Sequence, residues 1–204
     1  MTARRRLKPP TPQVDVCGQM LIGLVLLLCL ATVPLARGRL GALADVRFRA
    51  SWLALVAIGA QIVIVSLLPQ GNGWLHHAVH LATYGLVAAF LWANRHIAYL
   101  WLAALGGALN LLAITANGGV MPADPDALAA AGVHQEAGDF ANSTAVAHPH
   151  LAFLGDVFAV PASWPVSNVF SVGDVVLVVA ALLALHCLCG SRLALVRFAA
   201  PLAR

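Results

Sequence analysis

The sequence has 204 residues, of which 61% are hydrophobic and 10% are charged, and its mean hydropathy is +0.86. This composition argues against an ordinary soluble domain and is typical of a multi-pass membrane protein. The net charge of +4 does not indicate nucleic-acid binding, because the basic residues lie at the ends of apolar runs, where they bias orientation in a membrane.

The chain opens with a basic, proline-rich stretch, residues 1–19, which we expect to form a disordered arm. The first long apolar run follows directly at Met20. Met20 is therefore a second candidate for the native start, in which case the arm is a start-site artefact. A signal peptide cut after Ala36 is disfavoured, because Pro34 occupies the −3 position, where a small residue is required.

Five apolar runs follow, and runs of about 20 residues are long enough to cross a bilayer. Their approximate bounds are 20–36, 50–68, 75–93, 98–116 and 169–189. The segment Arg37–Arg49 fits either a short helix lying along lipid headgroups or a charged loop. We predict an all-α integral membrane protein with about five transmembrane helices in one domain, 20–190, followed by a cytoplasmic tail, 191–204.

The arginines predict an orientation, since basic residues accumulate on the cytoplasmic side. The loop at Gln70 and the long segment 117–168 contain no Lys or Arg. The predicted location is a bacterial inner (plasma) membrane, with the N-terminus outside and the C-terminus inside. The arginines placed on the cytoplasmic side are Arg37, Arg39, Arg47, Arg49, Arg95, Arg192, Arg197 and Arg204.

We name the polar segment 117–168 the cap, and predict that it lies on the extracytoplasmic face. Asn117, Gly118 and Gly119 can adopt positive φ and should end the fourth helix. Asp124 is a good N-cap for a short helix that continues to Gly132, with proline at its first position.

Two carboxylates in apolar surroundings require partners. Asp156 lies within residues 151–160, which are apolar but too short to span and so should be interfacial or re-entrant. The favoured interpretation is that Asp156 has a structural role, with its carboxylate hydrogen-bonded within the fold. The alternative is a functional acid or a ligand. Asp174 follows Ser171 with the spacing of a capping box, the alternative being a functional intramembrane carboxylate.

The candidate functional residues form a polar cluster predicted on the outer face. Its members are His76, His77, His80, Asn117, Asp156 and Asp174. Imidazoles and carboxylates together suit zinc or a similar ion. The weak metal-ligand candidates are His76, His80, His148, His150 and Asp156. Interfacial histidines are common and the spacing matches no zinc signature, so no cofactor is predicted and zinc remains the alternative.

Several short motifs resemble an uncharacterised family of small bacterial multi-pass membrane proteins catalogued only as a domain of unknown function. They are Arg37-Gly-Arg-Leu with Leu43-Ala-Asp-Val-Arg47, Asn117-Gly-Gly-Val-Met-Pro122, Phe153-Leu-Gly-Asp156 and Phe170-Ser-Val-Gly-Asp174. The resemblance extends from Met20 over most of the chain, and it implies no activity, substrate or catalytic residue.

No phosphate-binding loop, nucleophile elbow or cofactor fingerprint is present in the sequence. We therefore predict no catalytic residue, and a non-enzymatic envelope or complex-accessory protein whose cap binds a protein or lipid partner. The alternatives are a transporter or channel subunit and a metal-dependent membrane enzyme that uses the His/Asp cluster. Expected partners are the lipid bilayer and either a membrane protein or a second copy of the chain, but not nucleic acid.

Overall fold

A computed structural model describes residues 13–63, 74–133 and 143–194, without the side chains of residues 13–20, 22 and 74–77. The predicted turn at 69–73 and the tail beyond 194 lie outside this part of the chain. Six α-helices are described: α1 (Gln13–Leu35), α2 (Ser51–Ile62), α3 (Trp74–Ala93), α4 (Leu100–Ala116), α5 (Pro125–Ala131) and α6 (Val172–Leu188). Helix α1 thus begins upstream of Met20, within the stretch predicted to be an arm.

The predicted fold class is wrong in its central claim. Among the helices built from described residues, none combines the length and the apolar composition needed to cross a membrane. Helices α4 and α6 have 17 residues each, which is about 25 Å against a hydrocarbon core of about 30 Å. Five of the helices coincide with the five apolar runs, but they are not the transmembrane helices that we predicted.

The cap contains β-structure that the sequence analysis did not predict. Strands β1 (Met121–Pro122) and β2 (Ser143–Thr144) pair in parallel, and β3 (Phe158–Val160) pairs antiparallel with β4 (Asn168–Phe170). The apolar segment 151–160 therefore folds as a 3-10 turn, Ala152–Leu154, followed by β3. Because β4 takes up the start of the last apolar run, α6 begins only at Val172.

Local sequence signals set the ends of the helices around the cap. The Asp124 side chain accepts a hydrogen bond from the Asp126 amide at the start of α5, and Gly132 ends that helix at φ +66°. Ser171 and Asp174 form the predicted capping box at the start of α6. Gly118 and Gly119 both have positive φ and turn the chain out of α4.

The bundle is built around the contact between α4 and α6. Gly106 and Asn110 of α4 face Gly173 and Asp174 at the start of α6, so the two helices run antiparallel. Helix α2 packs on α3, and the end of α1 packs on the end of α6. The cap joins the bundle through buried apolar residues of both parts, namely Ala113, Ile114, Met121 and Leu154.

Candidate functional site

The site lies where the cap meets the bundle, and its first component is a polar junction between α4 and α6. Asn110 donates to one carboxylate oxygen of Asp174 at 2.8 Å, and the amide of Ser171 donates to the other at 2.9 Å. Ser171 is fully buried, and its hydroxyl lies 2.9 Å from both Asn110 Oδ1 and Asp174 Oδ2. Each oxygen of the Asp174 carboxylate therefore accepts a hydrogen bond. Because one donor is Asn110 of α4, the capping box of α6 also connects α6 to α4.

The junction requires glycine at its centre. A Cβ built on Gly173 would lie 2.8 Å from the carbonyl oxygen of Gly106 and would overlap the Asn110 side chain. The two helix backbones therefore approach closely enough for Asn110 to reach across. Gly106, Asn110 and Ala113 of α4 are buried.

Asp156 is the second component, and it is only 4% exposed. Its carboxylate accepts a short hydrogen bond from the Ser143 hydroxyl of β2. Its amide donates to the carbonyl of Pro122, and its carbonyl accepts from the amide of Asp124, at 2.9 Å and 3.0 Å. Asp156 thereby connects β2, the segment after β1 and the start of β3.

The carboxyl group of Asp156 has a raised pKa of about 6. Burial is the largest cause, because it penalises the charged form, and the charge of Asp174 raises the pKa further. The Ser143 hydrogen bond acts in the opposite direction, since it stabilises the carboxylate. No basic side chain of the described residues pairs with Asp156, so burial has the largest effect on its pKa.

Tyr84 of α3 belongs to the same electrostatic cluster. Its pKa is raised to about 12, first by burial and then by the charges of Asp174 and Asp156. The ring of His80 lies edge-on to Tyr84, with the ring centroids 5.5 Å apart. Tyr84 therefore lies within the electrostatic influence of both carboxylates. Tyr84 was not among the predicted site residues, because an aromatic residue in an apolar run carries no local signal of its partners.

The other predicted site residues serve separate contacts. His80 is buried, and its Nδ1 lies 2.9 Å from the side-chain amide nitrogen of Gln61, which also donates to Thr83. Asn117 makes two hydrogen bonds to the backbone of His150 and one to the carbonyl of Ala113. The side chains of His76 and His77 lie outside the described residues.

The candidate zinc ligands are not assembled into a metal site by the part of the chain that the structure describes. Within that part, no three His, Cys, Asp or Glu side chains are arranged to hold a metal ion. His148 and His150 are exposed on the loop that Asn117 fastens, whereas Asp156 is buried beneath it. The candidate metal ligands whose side chains are described therefore occupy different environments.

The cap exposes several large apolar side chains. Phe153 is 66% exposed and Trp164 is 62% exposed, and Leu151 and Phe158 are also exposed. The ring of Phe158 stacks on that of Phe170 with the centroids 5.3 Å apart. Solvated side chains of this size on a hydrogen-bonded framework are typical of an interaction surface.

Residues 45–186, more than half of the chain, match a family described as "Family of unknown function (DUF5317)". The chain belongs to this family. The match contains the motifs at 117–122, 153–156 and 170–174, and it confirms the resemblance to a family of unknown function. It carries no statement about a membrane, a multi-pass topology or a bacterial source. No curated protein and no solved structure matches the DUF5317 chain.

Proposed function

We propose that this DUF5317 protein is a non-enzymatic accessory protein whose cap binds a protein partner. The observation that carries the proposal is the exposure of Phe153 and Trp164 on a cap whose backbone is fixed to the bundle. Large aromatic side chains on a preorganised surface bind well, because little conformational entropy is lost when the complex forms.

The buried polar groups support a structural rather than a catalytic role for the junction beneath this surface. Asp174 caps α6 and accepts from Asn110, and Asp156 accepts from Ser143 while its backbone joins the strands. Each carboxylate is thus engaged in holding the cap together.

Charge favours a protein over an anionic lipid as the partner of the cap. Asp124 caps α5 and Asp126 lies in its first turn, and the described residues of the cap include no Lys or Arg. An anionic headgroup layer would be repelled by these carboxylates. The partner expected is a protein with an apolar recess and a basic rim.

Photo-crosslinking in cells tests this proposal. Benzoylphenylalanine replaces Phe153 or Trp164, and the control places it at Leu193, which is equally exposed and lies at the opposite end of the bundle. We expect the same protein adduct from both cap positions and not from position 193. Asp124→Asn with Asp126→Asn should reduce its yield by about twofold to fivefold, since asparagine keeps the helix cap and removes only the charge.

Three outcomes would contradict the proposal. The first is an identical adduct from the cap positions and from position 193, which would indicate nonspecific apolar association. The second is an adduct with lipid alone at positions 153 and 164. The third is an adduct whose yield is unaffected by the aspartate substitutions and by added salt.

A further inference from the structure

All basic residues of the described chain lie at one end of the bundle, opposite the cap. The amide of Arg39 donates to the carbonyl of Cys189, and the amide of Arg192 donates to that of Ala36, both at 2.9 Å. Arg49 exchanges backbone hydrogen bonds with the fully buried side chain of Asn94, which precedes Arg95. We name this surface the arginine end, and its basic residues are Arg37, Arg39, Arg47, Arg49, Arg95 and Arg192.

The arginine end is separated from the cap by the length of the bundle. Helix α4 starts at Leu100 beside the arginine end and finishes at Ala116 beside the cap. Its 17 residues rise about 25 Å at 1.5 Å per residue. This separation exceeds the Debye length of about 8 Å at physiological ionic strength, so the two charged surfaces act independently.

Three exposed tryptophans lie at the level of the arginines. Trp52 is in the first turn of α2, Trp92 in the last turn of α3 and Trp101 in the first turn of α4, and each is between 62% and 70% exposed. Phe48, between Arg47 and Arg49, is exposed as well. The helix ends therefore carry aromatic rings next to guanidinium groups.

The exposed guanidinium groups indicate that this end binds an anion from outside the protein. All six arginines are exposed, and Asp45 is the one acidic residue of the described chain in the loops at this end. Arg95 lies over the ring of Trp92 at 4.7 Å from its centroid and donates to the Trp92 carbonyl. The structure shows such a side-chain partner, within the described residues, for Arg95 and for none of the other five arginines.

We propose that the arginine end binds the headgroup layer of an anionic lipid surface. Guanidinium groups form charge-assisted, often bidentate hydrogen bonds to phosphate oxygens. Trp rings are amphipathic and lie at the headgroup level of lipid layers, with the apolar part of the ring toward the acyl chains. Each basic residue close to an anionic surface strengthens binding by about fivefold. This interaction is independent of the partner proposed for the cap.

The apolar side chains at this end favour lipid over nucleic acid as the polyanion. Leu35, Leu40 and Leu193 are exposed among the arginines. These side chains lose contact with water when they enter an acyl layer, but a nucleic-acid backbone would leave them solvated. Lipid therefore satisfies both the charge and the apolar surface.

Quenching of tryptophan fluorescence by brominated lipids tests the proposal on the full chain in mild detergent. Trp74→Phe and Trp164→Phe leave the three tryptophans of the arginine end as the reporters. Brominated phosphatidylglycerol should quench them at a concentration at least about tenfold lower than brominated phosphatidylcholine. The difference should shrink as salt is added, because screening weakens electrostatic attraction.

Matched substitutions distinguish the effect of the arginine charges on lipid binding from an effect on the fold. Arg39→Gln with Arg192→Gln should weaken the response to phosphatidylglycerol about tenfold or more, whereas Arg39→Lys with Arg192→Lys should retain most of it. Thermal unfolding of each variant shows whether the fold is kept. Equal quenching by the two lipids, or equal loss in the Lys and Gln variants, would overturn the proposal. So would displacement of the lipid by an oligonucleotide at equal phosphate concentration.

Discussion

At the cap end the buried carboxylate of Asp156 accepts a hydrogen bond from Ser143, and the half-buried carboxylate of Asp174 accepts from Asn110 and Ser171. At the arginine end the arginine side chains are exposed, and the polar side chains that are buried belong to Asn94, His186 and Ser191. Asn94 there binds the backbone of Arg49, and His186 lies between the hydroxyls of Thr32 and Ser191. The protein therefore holds two hydrogen-bonded carboxylates at the junction of bundle and cap, and it exposes all its described arginines at the other end.

This difference distinguishes residues that stabilise the fold from residues whose side chains are available to bind a partner. A buried carboxylate is retained only if donors replace the water it has lost, so the cap-end acids are bound to the fold that they hold together. An exposed guanidinium stabilises the fold little and remains free to bind an outside anion. Substitutions at the cap end should consequently change stability, and substitutions at the arginine end should change binding.

The largest expected effect is at the contact between α4 and α6. Gly173→Ala introduces a Cβ against the Gly106 carbonyl and the Asn110 side chain, and it should reduce the free energy of unfolding by about 3 kcal/mol or more. Gly107→Ala is the control, since a Cβ there has no neighbour within 4 Å and alanine favours the helix by about 0.5 to 1 kcal/mol. Urea titrations in detergent that show equal stability for both variants would refute the close contact.

The next effect is the pH dependence contributed by Asp156. Its pKa is raised from 3.8 to about 6 on folding, so between these pH values the folded protein binds more protons than the unfolded chain. Stability from this group is fully present below about pH 4 and is lost as the pH rises through 6, by about 2 to 3 kcal/mol in total. Asp156→Asn should remove this loss, as urea titrations from pH 4 to 7.5 would measure.

Ser143→Ala provides the control for the pH effect. The Ser143 hydroxyl lowers the pKa of Asp156 by stabilising its carboxylate, so its removal should move the loss of stability to a higher pH. A midpoint that moves to lower pH, or a slope that persists in Asp156→Asn, would show that another group titrates.

The smallest expected effect is at the arginine end. Arg47→Gln removes an exposed charge and should change the free energy of unfolding by less than about 0.5 kcal/mol. If Arg47→Gln instead reduced the free energy of unfolding by about 2 kcal/mol or more in the same urea titrations, Arg47 would stabilise the fold. The proposed difference between the two ends would then be contradicted.

The features of the fold that could be predicted from sequence are those that depend on near neighbours. Asp124 and Gly132 bound α5, and Ser171 and Asp174 cap α6, because a cap needs only a donor or acceptor within a few residues. The prediction of transmembrane helices was wrong because, among the described residues, no helix combines the length and the apolar composition needed to span a membrane. The pairing of Asn168–Phe170 with β3 shows that part of an apolar run can enter a sheet.

The candidate site was predicted only in part. Asp156 and Asp174 were identified as carboxylates in need of partners, but Ser143 and Tyr84 were not. His80 was named only as a candidate metal ligand, and its contact with Gln61 was not predicted. These partners come from other elements of the fold. Sequence spacing does not specify such contacts, because they depend on how the helices and the cap pack.

The sequence by itself determined which apolar runs contain a helix and where α5 and α6 are capped, since apolar runs and capping residues act within a few positions of the chain. Only the tertiary structure decided that Asn110 reaches Asp174 and that Asp156 meets Ser143. The physical reason is distance along the chain. A hydrogen bond between residues 64 positions apart forms only after Gly106 and Gly173 have allowed two helices into contact.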